Sequence, residues 1–345
     1  MRHARAAIGL ILTVWLWVGS AAGLEIEDRR HYPGTGERVL RILSTADLTV
    51  FDPFLAAFHR ERPDLALDYS VVSSAELHRA IREGAAFDLA ISSAMDLQFQ
   101  LVNDGFAQDY RSAVTETLPG WARWREQIFA FTTEPAVVVI STERFAGLPP
   151  PETRQDLIDV LRDHPERFHG AVGTYDVRVS GLGYLFATQE ARSTDAYWRL
   201  SEVMGRLDPQ LYCCSGQMID DVASGRLALA YNVLGSYAAD RLAQDSGGRV
   251  RILRMQDFSN VILRTAFIPM AATEREAAGA LIDTLLIAGL RESPGDWPLP
   301  PLGRASEGSG AGFGPIRLGP ALMVYLDPLN RRAFLREWEN AMEQR

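Results

Sequence analysis

Hydroxyl groups that follow short apolar runs are the first feature of this chain that could do chemistry. Ser44 and Thr45, with Asp47 close behind, follow the run VLRIL at 39–43. Ser92 and Ser93 follow the run ending at Ile91, and Ser180 and Gly181 precede the stretch from Tyr184. Ser215 stands just after a pair of cysteines, and Asn232, Ser236 and Tyr237 sit in the phrase NVLGSY after LALAY at 227–231. Hydroxyls both donate and accept, and the free backbone N–H groups at a helix start are ready donors for an anion. Arg178 is close enough in sequence to add a guanidinium fork that suits carboxylate or phosphate, and it also reads as a solvated arginine. Glu134 and Asp47 cut against a pure anion site; they would orient arginines or accept from ligand hydroxyls. The chemistry these residues share is non-covalent capture of a small organic anion. Sugar phosphates, phosphoglycerates and di- or tricarboxylates all fit. Taken singly, each serine pair reads equally as a helix cap, so the weight rests on their recurrence.

Patterns for covalent or metal chemistry are weak. No H-E-x-x-H or P-loop phrase occurs, and the GSGAG run at 308–312 lacks the buried strand that a nucleophile elbow needs. His164 and His169 flank a proline-interrupted segment and make a poor shared metal site. Cys213 and Cys214 are adjacent, so a bridge between them closes no useful loop and strains the peptide that joins them. They read first as two semi-buried thiols, with a vicinal disulfide and a metal-ligand role as alternatives. No enzyme, cofactor or metal is expected.

The chain has 345 residues, 47% of them hydrophobic and 23% charged, enough for a buried core and for two lobes of ordinary size. With 35 basic against 44 acidic residues the net charge is -9, which argues against a nucleic-acid partner held by its phosphates. Every basic side chain outside histidine is arginine. Arg2 and Arg5, the apolar run 6–18 and the small residues Ser20, Ala21 and Ala22 make a secretion signal cut after Ala22 or Gly23. The apolar run is shorter than the roughly 20 residues that span a bilayer. The expected location is the periplasm of a Gram-negative bacterium, with signal residues 1–23.

The elements that would position these groups alternate. Strands are expected at 39–43, 65–72 and 87–91, with helices between them; Ser73 and Glu76 form a capping box, and Gly84 ends that helix. Strand and helix alternation implies a parallel sheet wound on both faces, with ligands held outside the carboxyl ends of its strands. The second half repeats this logic, with strands at 136–140, 172–174 and 227–231 and helices near 156–162, 184–191 and 218–224. Phe334, Leu335, Trp338 and Met342 make a helical stripe that should dock on a lobe. The fold class is thus α/β with two lobes.

The order of secretion signal, VLRIL, ELHRAIREGAAFDLAIS, EPAVVVIST, SGLGYLF and ASGRLALAYNVLGSYA resembles a type 2 periplasmic solute-binding protein of ABC transporters, closest to the ferric-iron and phosphorylated-sugar receptors. The resemblance implies two αβ lobes, each a mixed, mainly parallel sheet flanked by helices, joined by crossing strands and closing on a small ligand between them. It implies an inner-membrane partner, either an ABC permease or a sensor kinase, and a monomer is expected. Lobe 1 is assigned to 24–135 and 256–290, and lobe 2 to 136–255 and 291–345. Ferric receptors of this group use a histidine after the first strand, a carboxylate after the third and paired tyrosines near the phrase A-N-G. Here those places hold Ser44 to Asp47, then Ser92 and Ser93, then Gly235 and Ser236, with Tyr237 one residue late. Hard ferric ion prefers anionic oxygen, so an organic anion is the expected ligand, with a ferric-iron receptor of altered ligands as an alternative.

Overall fold

The computed structural model describes residues 24–291, 297–303 and 315–344. The secretion pattern and the GSGAG run lie outside the described residues. The chain opens with β1 (Asp28–Tyr32), β2 (Val39–Ser44), α1 (Leu48–Glu61), β3 (Ala66–Val71), α2 (Ser74–Arg82), β4 (Leu89–Ser92) and α3 (Met95–Asn103). Strand β2 pairs in parallel with both β3 and β4, and Leu40, Ile42 and Leu43 are buried. A parallel sheet covered on both faces demands such near-continuous apolar strands. The charged strand β1 pairs antiparallel with β3 and is largely exposed, a composition that blunts a sheet edge. In α1 the buried side is Phe51, Phe54, Leu55 and Phe58. That helix begins at Leu48, so Pro53 lies inside it rather than in its first turn.

A short α4 (Ala113–Glu116) and β5 (Arg123–Trp124) lead into the long strand β6 (Ile128–Ser141). Its first half pairs with β5 and with a later strand, β11; its second half pairs with β9 and β10. Pro135 sits where the partners change, a place where a missing N–H costs the ladder little. Sequence had suggested a strand only from Ala136, with a loop before it; the strand is continuous through the proline. Beyond the change, Val137 and Val139 face one core while Val138 and Ile140 face another, the alternation of a strand buried on both sides.

The second lobe comprises α5 (Arg154–Asp163), α6 (Pro165–Phe168), β7 (Val172–Tyr175), α7 (Gly181–Ser193), α8 (Ala196–Gly205), β8 (Gln210–Tyr212), α9 (Ser215–Ala223), β9 (Leu229–Leu234), α10 (Gly235–Gln244) and β10 (Val250–Leu253). Strand β7 is parallel to both β8 and β9. The chain then returns through β11 (Val261–Phe267), antiparallel to β4 and β6, to α11 (Arg275–Gly289) and α12 (Pro328–Met342). Two crossings, along β6 and between β10 and β11, therefore join the lobes. Asn232 to Leu234, expected in a loop, continue β9 instead.

The C-terminal segment does not all belong to the second lobe. Trp297 stacks on Phe54 at 4.5 Å between ring centroids, and the carbonyls of Pro300 and Pro301 accept from Thr132 and Thr133. Ile316 and Leu318 donate to Val261 and Trp121, so 297–303 and 316–318 pack on the first lobe, because its α1 and β6 leave apolar surface there. Only α12 docks on α8 of the second lobe, burying Phe334, Trp338 and Met342.

Candidate functional site

Between the lobes lies a cleft. Its first wall is made by Glu27, Thr45, Asp47, Ser73, Ser74 and Ser93, with Val72 beneath. Its second wall carries Tyr175, Ser180, Ser215, Gly216 and Tyr237, together with the apolar Val179, Leu182 and Leu234 and the pair Cys213 and Cys214. Nearly all of these residues sit just past the carboxyl ends of β2, β3, β4, β7, β8 and β9, where the winding of an open α/β sheet leaves a crevice. Helices α1, α2, α3, α7, α9 and α10 start just past these strand ends. Each presents N–H groups without an intrahelical acceptor and the positive end of its dipole.

Hydrogen bonds within each wall decide which hydroxyls are free. Ser44 Oγ accepts from the Ala46 N–H and the Tyr69 hydroxyl, and Ser92 Oγ accepts from Thr45 and the Ala94 N–H. Both are buried beneath the wall, while their neighbours Thr45 and Ser93 line it. Ser180 caps α7 by accepting from the Gly183 N–H at 3.1 Å, and Ser73 caps α2 through the Glu76 N–H at 3.1 Å. The Glu76 carboxylate turns to Arg79 and the Glu25 N–H, so only half of the expected capping box forms. Ser215 Oγ accepts from the Leu234 N–H at 3.0 Å and shares a 2.5 Å contact with the Tyr175 hydroxyl.

Hydrogen bonds also link the two cleft walls. The Gly181 N–H donates to Ser74 Oγ at 3.0 Å, and the Asp47 N–H donates to the Tyr237 hydroxyl at 3.0 Å. Gly181 thus contributes to closure through its backbone, and a Cβ there would lie 2.6 Å from Ser74 Oγ.

Beneath Tyr237 lies a charged pair at the crossing. Arg264, on β11, is fully buried; its Nε donates to Glu134 Oε1 at 2.9 Å, and Nη1 has no hydrogen-bond partner among the described residues. Glu134 also accepts from the Ser236 hydroxyl, which ties α10 of the second lobe to the crossing strand. The guanidinium lies 6.0 Å from the Tyr237 ring centroid. Burial raises the Asp47 carboxyl, and the field of Arg264 pulls it back down. Glu27 is raised by burial and by Asp47, and burial pushes Tyr237 up to about 12. Among the described residues no arginine or histidine lines the cleft, so the charged side chains on its surface are both acidic.

Four further expected site residues are engaged elsewhere. The Arg178 guanidinium is held at 2.8 Å by both oxygens of Asp176 and at 2.5 Å by Glu343, because α12 brings its acidic end to that loop. It borders an adjoining interlobe pocket, with Asp96, His78 and Arg331, that shares Val179 and Ser180 with the cleft. Asn232 points into the second lobe and donates to Glu190 at 2.5 Å, where Tyr231 and Arg154 converge on the same carboxylate. Glu134 and Ser236 stand behind the cleft in the crossing network. Cys213 and Cys214, read first as thiols, form a vicinal disulfide.

Sequence reasoning missed Glu27, Val179, Leu182, Leu234 and Arg264. Arg264 sits in an apolar strand whose only signal was a charge where a hydrophobe belongs. Glu27 precedes a strand that composition hides.

Residues 40–288 match the family described as bacterial extracellular solute-binding protein. A comparison with curated proteins returns no match. Among solved structures, the substrate-binding protein of an ABC transporter from Agrobacterium tumefaciens is 30% identical, with a TM-score of 0.85 over 91% of this chain and 98% of that one. The periplasmic binding protein AfuA from Actinobacillus pleuropneumoniae, solved with fructose 6-phosphate, is 15% identical with a TM-score of 0.69 over 90% of this chain and 100% of that one. Iron-bound HitA from Pseudomonas aeruginosa is 13% identical with a TM-score of 0.63 over 88% of this chain and 99% of that one. At such identities the last two likenesses concern the fold alone. The family match runs through both lobes and nearly every loop that walls the cleft, and on that ground the chain belongs to the bacterial extracellular solute-binding proteins.

Proposed function

We propose that this protein captures a small hydroxylated organic anion in the interlobe cleft, in the periplasm, and delivers it to an ABC permease. The observation that carries this reading is the set of helix N-termini just past the strand ends that wall a cleft rimmed by serine and threonine hydroxyls. Such termini hold carboxylate or phosphate without a paired cation. Glu27 and Asp47 accept from hydroxyls and repel a bare anion, so a phosphate ester or hydroxy acid fits better than inorganic phosphate. Arg264, beneath Tyr237 and unpaired at Nη1 among the described residues, offsets part of that repulsion. Transport rather than sensing is supported by the Agrobacterium relative, itself a component of an ABC transporter.

The test is thermal unfolding of the stripped protein against hexose phosphates, glycerol 3-phosphate, 3-phosphoglycerate, citrate, succinate and ferric ion. A ligand at ~100 times its dissociation constant adds about 2.7 kcal/mol and raises the midpoint by several degrees. The expected result is a shift with one class of organic anion. A shift with ferric ion alone overturns the reading.

A further inference from the structure

The vicinal disulfide stands in the wall of the cleft. Cys213 is exposed and Cys214 half-buried, at the turn between β8 and α9. A disulfide stabilises chiefly by closing a long loop of the unfolded chain, and a bridge between neighbours closes none. Stability therefore does not explain the pair. What the bridge changes is the surface: two thiols, weak donors able to ionise, become a fixed patch of polarizable sulfur that donates no hydrogen bond. The patch is not isolated. Val179, Leu182 and Leu234 share its wall, whereas the facing wall, Val72 apart, is hydroxyl and carboxylate. The cleft is thus two-faced, polar on the first lobe and partly apolar on the second.

We infer that the Cys213–Cys214 disulfide is a contact plate for the carbon skeleton of the solute and helps to set its specificity. The inference rests on the proposed reading of the cleft as an organic-anion site. The solute it selects has a contiguous C–H face, such as the ring or chain of a phosphorylated sugar or polyol, which lies on the sulfurs while its hydroxyls meet the first lobe.

Titration calorimetry with fructose 6-phosphate, glycerol 3-phosphate, 3-phosphoglycerate and citrate tests this on the oxidised full-length mature protein and on two double variants. Cys213→Ser with Cys214→Ser removes the apolar plate. Cys213→Met with Cys214→Ala restores apolar surface without the bridge. The serine pair is expected to weaken the bound solute about tenfold, equivalent to roughly 55 Å² of apolar contact, and the Met/Ala pair to recover most of that loss. Circular dichroism melts establish that both variants fold; should the serine pair not fold, phosphine-reduced wild type replaces it. Equal loss in both pairs means that the bridge only orders the start of α9, and no loss in either means that it does not meet the solute; both results overturn the inference alone. If the wild type binds none of the four probes, the organic-anion reading falls and this inference falls with it.

Discussion

Asp96 is fully buried in the first turn of α3, and its Oδ1 has no hydrogen-bond partner among the described residues. Burial lifts its carboxyl to about 7, against the pull of the Leu97 and Asp96 N–H groups. Since the folded value lies above the unfolded one, the native state binds the proton more tightly; stability falls as pH rises from about 4 to about 7 and is flat above. Asp96→Asn removes that penalty. The variant should be more stable than wild type at pH 8, by at most about 4 kcal/mol, and equal to it near pH 4. Urea unfolding at the two pH values measures this, and a difference independent of pH would contradict it. Gly181 supplies a second prediction. Alanine is the better helix former at that position, yet its Cβ would meet Ser74 Oγ at 2.6 Å and Leu97 Cδ1 at 2.8 Å. Gly181→Ala should therefore lower solute affinity by tenfold or more by opposing closure, with the melting point of the ligand-free protein little changed. Calorimetry and a melt on the same preparation separate the two effects.

Elements carry a different share of the argument. Apolar runs bounded by serine and threonine made β2, β3, β4 and β7 legible, because strands buried on both faces leave little choice of residue. The strands that escaped notice, β1, β5, β8, β10 and β11, are short, charged or paired only through distant chain. Helix α12 was legible from its stripe, and Trp338 is 2% exposed at its centre with Arg178 over its ring at 5.4 Å. Trp338→Ala should cost about 3–5 kcal/mol through the cavity it leaves against α8. Chemical denaturation reads this directly, and a loss below ~1 kcal/mol would show that α12 is not part of the second lobe's core.

At the scale of the whole molecule, the two lobes are joined by two crossings and face each other across the cleft. The interlobe hydrogen bonds at Gly181 and Asp47 belong to a closed arrangement, and a solute that touches both walls favours it over an open one. Small-angle scattering should show the radius of gyration fall when a bound solute is added, and Gly181→Ala should blunt the change. A radius unaffected by saturating solute would mean that closure is not coupled to binding. The pair Glu134 and Arg264 lies at the crossing, where it joins strands of the first lobe to Ser236 of the second.

Sequence alone determined the alternation of strand and helix, the loops at the strand ends and therefore the place where a ligand would sit, because burial periodicity and capping chemistry are local properties. It placed Thr45, Asp47, Ser93, Ser180, Ser215 and Tyr237 at the cleft. Tertiary structure decided direction. In the pairs Ser44 and Thr45, and Ser92 and Ser93, the first side chain turns inward to close the loop and its neighbour lines the cleft. Arg178 was claimed by the acidic end of α12 and Asn232 by Glu190, partners remote in sequence that no spacing reveals. The bridge between Cys213 and Cys214 was likewise decided by the fold, since neighbouring cysteines are free to stay apart until a turn brings their sulfurs together on a cleft wall.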